Sequence, residues 1–97
     1  MSIYVIATTK VLNPDFLEAY AAIAGPLVAQ YGGEYIARAS NPEVVEGDWP
    51  SDRDTVLLRW PSREAFMAFW NSPEYAVAKE LRKGKLILNN IILEEAP

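Results

Sequence analysis

Ile3-Tyr4-Val5-Ile6-Ala7-Thr8-Thr9-Lys10-Val11-Leu12-Asn13-Pro14-Asp15 is the stretch whose reading decides the fold. From Ile3 to Leu12 it is rich in β-branched residues, with Ile3, Val5 and Ala7 on one alternating side and Tyr4, Ile6 and Thr8 on the other. A strand with one solvated face would alternate to charged residues, so this one is expected to be covered on both sides. The pattern then breaks. Asn13 is a good helix N-cap, Pro14 suits the first helical position, and Asp15 complements the positive end of a helix dipole.

Working outward, the helix stripe reads Phe16, Tyr20, Ile23, Leu27 and Tyr31, flanked by Leu17, Ala24 and Val28, until Gly32-Gly33 stops it. Gly25-Pro26 inside this stretch predicts a kink, or two shorter helices, because proline removes a backbone donor and crowds the preceding turn. Glu34 to Ser40 reads as a second strand, with a resumption over Glu43-Val44-Val45-Glu46 after the Asn41-Pro42 turn. Residues 47–53 have loop composition, and Asp54 to Trp60 is the next strand. Ser62 caps a helix to about Trp70, and Ser72-Pro73-Glu74 opens another to about Arg82. Lys85 to Leu93 closes the order as a strand, apolar on both faces except at Asn89 and Asn90.

The order β-α-β-β-α-β is that of an α+β, ferredoxin-like split βαβ unit, an antiparallel sheet with helices on one face. The other sheet face would carry Tyr, Ile and Leu, more apolar area than a monomer usually exposes. A second copy related by a two-fold axis is the expected cover, so the chain is read as a homodimer enclosing a core or cavity between its sheets.

Composition narrows the function. The 97 residues fit a single domain over 1–97, and a domain this small buries only roughly two-thirds of its unfolded surface. A formal charge of −4 argues against nucleic acid and anionic membranes as partners. There is no cysteine and no histidine, which removes thiolate chemistry, the usual zinc ligands and the usual general base. Haem would have to rely on tyrosine or a weaker ligand. Gly32-Gly33 follows a helix and precedes a strand, the reverse of a dinucleotide-binding turn, so no cofactor is expected. Neither a signal peptide nor a membrane helix is indicated, and the cytoplasm is the default location.

Several short strings, in order, resemble one family over nearly the whole chain: Tyr31-Gly32-Gly33, Ala37-Arg38, Glu46-Gly47-Asp48-Trp49 and Trp70-Asn71-Ser72-Pro73-Glu74-Tyr75. They are similar to the bacterial domain-of-unknown-function 1330 family. The resemblance implies the dimeric α/β-barrel superfamily, whose members pair sheets and carry a pocket in each subunit. That superfamily includes cofactor-independent monooxygenases, lactone isomerases, dehalogenase-like and haem proteins, so the fold does not fix the function.

Some residues invite chemistry. Arg38 and Arg59 lie on strands and are read as pointing to the bare side of the sheet. There they would hold an anion bidentately, or else pair with Glu34, Glu43 or Glu46. Glu46 and Asp48, beside Trp49, could deliver an acid to a pocket with an aromatic wall, and a buried Glu46 would have its pKa raised towards that of a general base. Asn71 and Tyr75 bracket the helix break as ligand-binding and catalytic candidates, although capping explains that string without a ligand. Trp60, Phe66, Phe69 and Trp70 read as core. The expected function is the binding of a small anionic or phenolic molecule, with cofactor-independent oxygenase- or isomerase-like catalysis. The competing reading is a non-catalytic dimeric interaction or regulatory module with a filled pocket.

Overall fold

The apolar first strand takes the centre of the sheet. A computed structural model of the chain describes residues 1–50 and 52–97; Ser51, within the loop expected over 47–53, lies outside the described residues. Strand β1 (Ile3–Val11) pairs antiparallel with β3 (Asp54–Trp60) on one side and β4 (Leu86–Glu94) on the other. Strand β2 (Glu34–Ala39) extends the sheet beyond β3, giving the order β2-β3-β1-β4 of the ferredoxin-like fold. Every neighbouring pair is antiparallel, while the helical connections join strands that skip a position.

Asn13 caps as expected: its side-chain oxygen accepts the Asp15 backbone N–H at 3.1 Å. A 3-10 turn over Pro14–Phe16 leads into α1 (Leu17–Gln30). This helix is one element, not two, with Pro26 inside it. It ends at the glycine pair, where Gly32, at φ 89°, supplies the left-handed residue. The Gly33 N–H donates to the Val28 carbonyl at 2.9 Å and the Gly32 N–H to Ala29 at 3.0 Å, closing the helix end. Helices α2 (Arg63–Trp70) and α3 (Pro73–Arg82) are capped by Ser62 and Ser72, each accepting a backbone N–H three residues on at 3.1 Å. The Ser72 hydroxyl also donates to the Phe69 carbonyl at 2.8 Å, so one side chain ends α2 and starts α3.

All three helices cover the sheet face that carries Val5, Leu58 and Trp60, and the core there includes Ala24, Leu27, Val28, Phe66, Phe69, Tyr75 and Ala78. Trp60 is 1% exposed and packs edge-on against Phe66 and tilted against Phe69. The opposite face carries Tyr4, Ile6, Leu57, Ile91 and Leu93 in cross-strand register. Ile91 and Leu93 are 53% and 44% exposed, so the apolar second face inferred from the sequence is present. Residues 43–46 form no strand; the segment runs irregularly, and Trp49 and Pro50 line a shallow groove with Ile6, Thr8, Asn89 and Ile91 on this second face. No helix among the described residues is long and apolar enough to cross a membrane.

A Cβ at Gly33 would lie 2.8 Å from Val28 Cγ1 and 2.9 Å from the Trp60 ring, so Gly33→Ala is expected to destabilise by about 1–3 kcal/mol. Gly25, within α1, has nothing within 4 Å, and Gly25→Ala should stabilise by about 0.5–1 kcal/mol. Urea denaturation of the two variants beside the parent checks both signs.

Candidate functional site

The helices do not seal the sheet completely. Between them and the strands lies a cleft of about 140 Å³, lined on the sheet side by Val5, Ala7, Thr9, Val56 and Leu58. Its roof is aromatic, from Phe66, Phe69, Trp70 and Tyr75, with Tyr20 contributed by α1 and Tyr35 by β2. Ser72 places Tyr75 by capping α3 through the Tyr75 N–H, and the Tyr75 ring is buried against Phe69 at 4.5 Å between centroids.

Polar groups in the lining are few. The Tyr20 and Tyr75 hydroxyls are hydrogen-bonded to each other at 2.8 Å, and Thr9 and Asn90 add an alcohol and an amide from the sheet. In a phenol pair one hydroxyl donates to the other, which leaves one O–H proton for a further acceptor. Burial, then the neighbouring Tyr75, pushes the Tyr20 pKa well above its usual value. Among the described residues the lining contains no carboxylate, and its ionisable groups are phenols.

Cations lie against rings of this lining. Lys79 Nζ lies 4.1 Å from the Trp70 ring centroid, and Arg82 Cζ lies 5.8 Å from the same centroid. The Arg38 guanidinium stacks over Tyr35 at 5.1 Å.

The family described as "Domain of unknown function (DUF1330)" matches residues 2–96. The chain belongs to the DUF1330 family. Among solved structures, a protein of unknown function from Rhodopseudomonas palustris is similar with a TM-score of 0.80 at 18% identity, over 99% of this chain and 83% of that one. SnoaB, a cofactor-independent oxygenase from Streptomyces nogalater, is similar with a TM-score of 0.68 at 11% identity, covering 99% and 94% of the two chains. A dimeric ferredoxin-like protein of unknown function from Thermobifida fusca has a TM-score of 0.62 at 18% identity, with 98% and 92% covered. At such identities the likeness shows a common fold. No curated protein matches the chain.

In this DUF1330 chain the residues singled out from sequence are dispersed. Arg59 does face the bare side, where its Nη2 donates to both carboxylate oxygens of Glu34 at 3.2 and 3.1 Å, the structural pairing. Arg38 does not. A bulge at Ile36 makes Tyr35 pair with Leu58 but Ala37 with Leu57, which reverses the alternation and turns Arg38 to the face of Val56. The two guanidiniums therefore lie on opposite faces of one sheet and cannot clamp a single anion within the protomer. Glu46 and Asp48 are exposed on the irregular segment, so the buried Glu46 that a general base there would require is not formed. Trp49 lies over the second face, and Asn71 is an exposed helix end whose backbone N–H returns to Met67. Of the candidate catalytic and ligand-binding residues, all of them described, Tyr75 alone lines the cleft, beside Trp60, Phe66, Phe69 and Trp70, which were read as core.

Sequence reasoning missed Tyr20 and Arg82. Tyr20 has the spacing of a core stripe, and only its phenol oxygen, reaching Tyr75 fifty-five positions away, marks it as more.

Because the fold favours the protonated Tyr20 phenol, its contribution to stability is complete below the usual tyrosine value of 10.0 and is lost as pH rises through the higher folded-state value. Alkaline titration followed by tyrosinate absorbance should show one phenol ionising only with unfolding. Tyr20→Phe should remove that late component and flatten the fall of stability above about pH 10.

Proposed function

We propose that the protein is a homodimer, paired through the bare sheet faces, that binds a small single-ring organic molecule in the sheet–helix cleft of each protomer. The observation that carries the ligand is the cleft itself: apolar and aromatic walls with a few convergent polar groups, the usual make-up of a small-molecule site. Its size agrees, since an apolar cavity of about 150 Å³ holds benzene. Tyr20 and Tyr75 are the groups that would orient a ligand oxygen and move a proton.

The pairing reading rests on the exposed Ile87, Ile91 and Leu93 beside Tyr4, Ile6 and Leu57, an apolar face of one sheet. The Thermobifida fusca relative of the same fold, described as dimeric, supports it. Cofactor-independent oxygen chemistry, as in SnoaB, is a reaction that such a cleft can host, with the phenols handling protons. The second reading is a binding or regulatory domain without catalysis; the lack of a carboxylate base in the lining, among the described residues, favours it.

Titration with toluene, phenol and benzoate, read by the quenching of tryptophan fluorescence and by calorimetry, should give saturable binding at one site per protomer. Ala7→Leu, which places a larger side chain on the cleft floor of the central strand, should weaken that binding by about tenfold or more with the melting curve kept. Failure of all three compounds to bind, or an unchanged affinity in Ala7→Leu, overturns the ligand reading. Sedimentation should give twice the 10.8 kDa protomer mass, and Ile91→Lys should return the protein to that mass, since an unpaired charge would be buried in the interface. A parent that sediments as a monomer overturns the pairing.

A further inference from the structure

The chain holds 13 acidic side chains against nine basic ones, so basic residues have acids to spare as partners. Lys10, Arg53, Arg59 and Lys85 use them, with carboxylates at 2.8 to 3.6 Å. Arg38, Arg63 and Lys83 do not, nor do Lys79 and Arg82, which have no carboxylate within 4.0 Å among the described residues. Lys79 and Arg82 stand three positions apart on α3 against the same two rings, Trp70 and Tyr75, which also roof the cleft.

The Arg82 Nε is buried and has no hydrogen-bond partner, an unmet donor on a permanently charged group. Its charge reaches Tyr20, where it opposes the rise in that phenol's pKa, so the guanidinium and the hydroxyl pair share one electrostatic neighbourhood. Lys79 is pushed below its usual pKa, first by burial and then by Arg82. Two like charges held together over aromatic rings, without a counter-ion, form an arrangement that an anion would relieve.

We propose that Arg82 and Lys79 form an anion-recognition point at the rim of the sheet–helix cleft, which selects a single-ring aromatic carboxylate whose ring enters the cleft. The assignment rests on the cleft being a ligand site and adds the charge of the ligand and the residues that read it. It gives the anion-binding task to the end of α3. The ring stays among Phe66, Phe69 and Trp70 while the carboxylate remains beside the guanidinium fork, which matches its planar geometry. Without a ligand, both cations act as cation–π props on Trp70 and Tyr75. The experiment must therefore separate a prop from a recognition element.

Benzoate, its neutral isostere benzamide, and toluene are titrated into the whole protein and into Arg82→Met and Lys79→Met, whose aliphatic side chains keep the packing on the rings. In the parent, benzoate should bind about tenfold or more tightly than benzamide. Each Met variant should lose most of that preference, with toluene affinity unchanged. In the unaltered protein, benzoate affinity should also fall between about 0.05 and about 0.5 M NaCl while toluene affinity holds, a readout that survives if a variant fails to fold. Equal affinity of the parent for benzoate and benzamide, or a preference that persists in both Met variants, overturns the assignment and leaves the cleft reading standing. If toluene, benzamide and benzoate all fail to bind, the assignment falls, and the cleft reading falls with it when phenol fails as well.

Discussion

The close approach of Gly33 to the Trp60 indole is the contact on which the rest of the structure depends. A single added carbon at Gly33 would meet Val28 and Trp60 at under 3 Å, so the end of α1, the start of β2 and the end of β3 are locked at one point. Trp60 in turn supports Phe66 and Phe69, whose rings lie 5.2 and 4.9 Å from it. Pro61 follows, meeting Gly32 on the other side, and Ser62 then starts α2. The height of the helical layer above the sheet is thus set at the Trp60 end. The lining of the cleft runs from Trp60 to Thr9, Leu88 and Asn90.

The second helical region explains why the gap is lined as it is. A continuous helix from Arg63 to Arg82 would carry its side chains in one stripe. The break at Asn71-Ser72 resets the direction, and Ser72 spends one hydroxyl on both helix ends. Tyr75 is thereby turned inwards, 3% exposed, to meet Tyr20 of α1, while Lys79 and Arg82 follow one and two turns later against the same rings. A local capping rule therefore fixes which polar groups border the cleft.

This also accounts for what could be read in advance. The caps at Asn13, Ser62 and Ser72, the glycine stop and the strand patterns are local chemistry, and the element order follows from them. The parity of β2 is not local. It depends on the bulge at Ile36, which only the register with β3 reveals, and a one-residue slip moves Arg38 to the other face. Arg82 was equally hidden, because a cation in the last turn of a helix is already explained by the helix dipole. Glu46 and Trp49 are an acid and an aromatic in a loop, yet Trp49 lies against the sheet face away from the cleft and Glu46 is exposed.

The geometry separates two surfaces that the sequence alone led us to merge. Reading the bare sheet face as the pocket wall made Arg59 a ligand residue and left the helix side as plain core. In the folded chain the bare face carries aliphatic side chains and the Arg59–Glu34 pair, which is exposed and screened by solvent. The helix side holds the aromatic cleft and the hydroxyl pair, with Lys79 and Arg82 against its rings. A substitution such as Ile91→Lys acts on one surface and Ala7→Leu on the other, although both positions lie in adjacent strands of one sheet. Alternation along a strand gives each residue one surface only, so the proposed self-association and the proposed ligand binding are open to separate alteration in this fold.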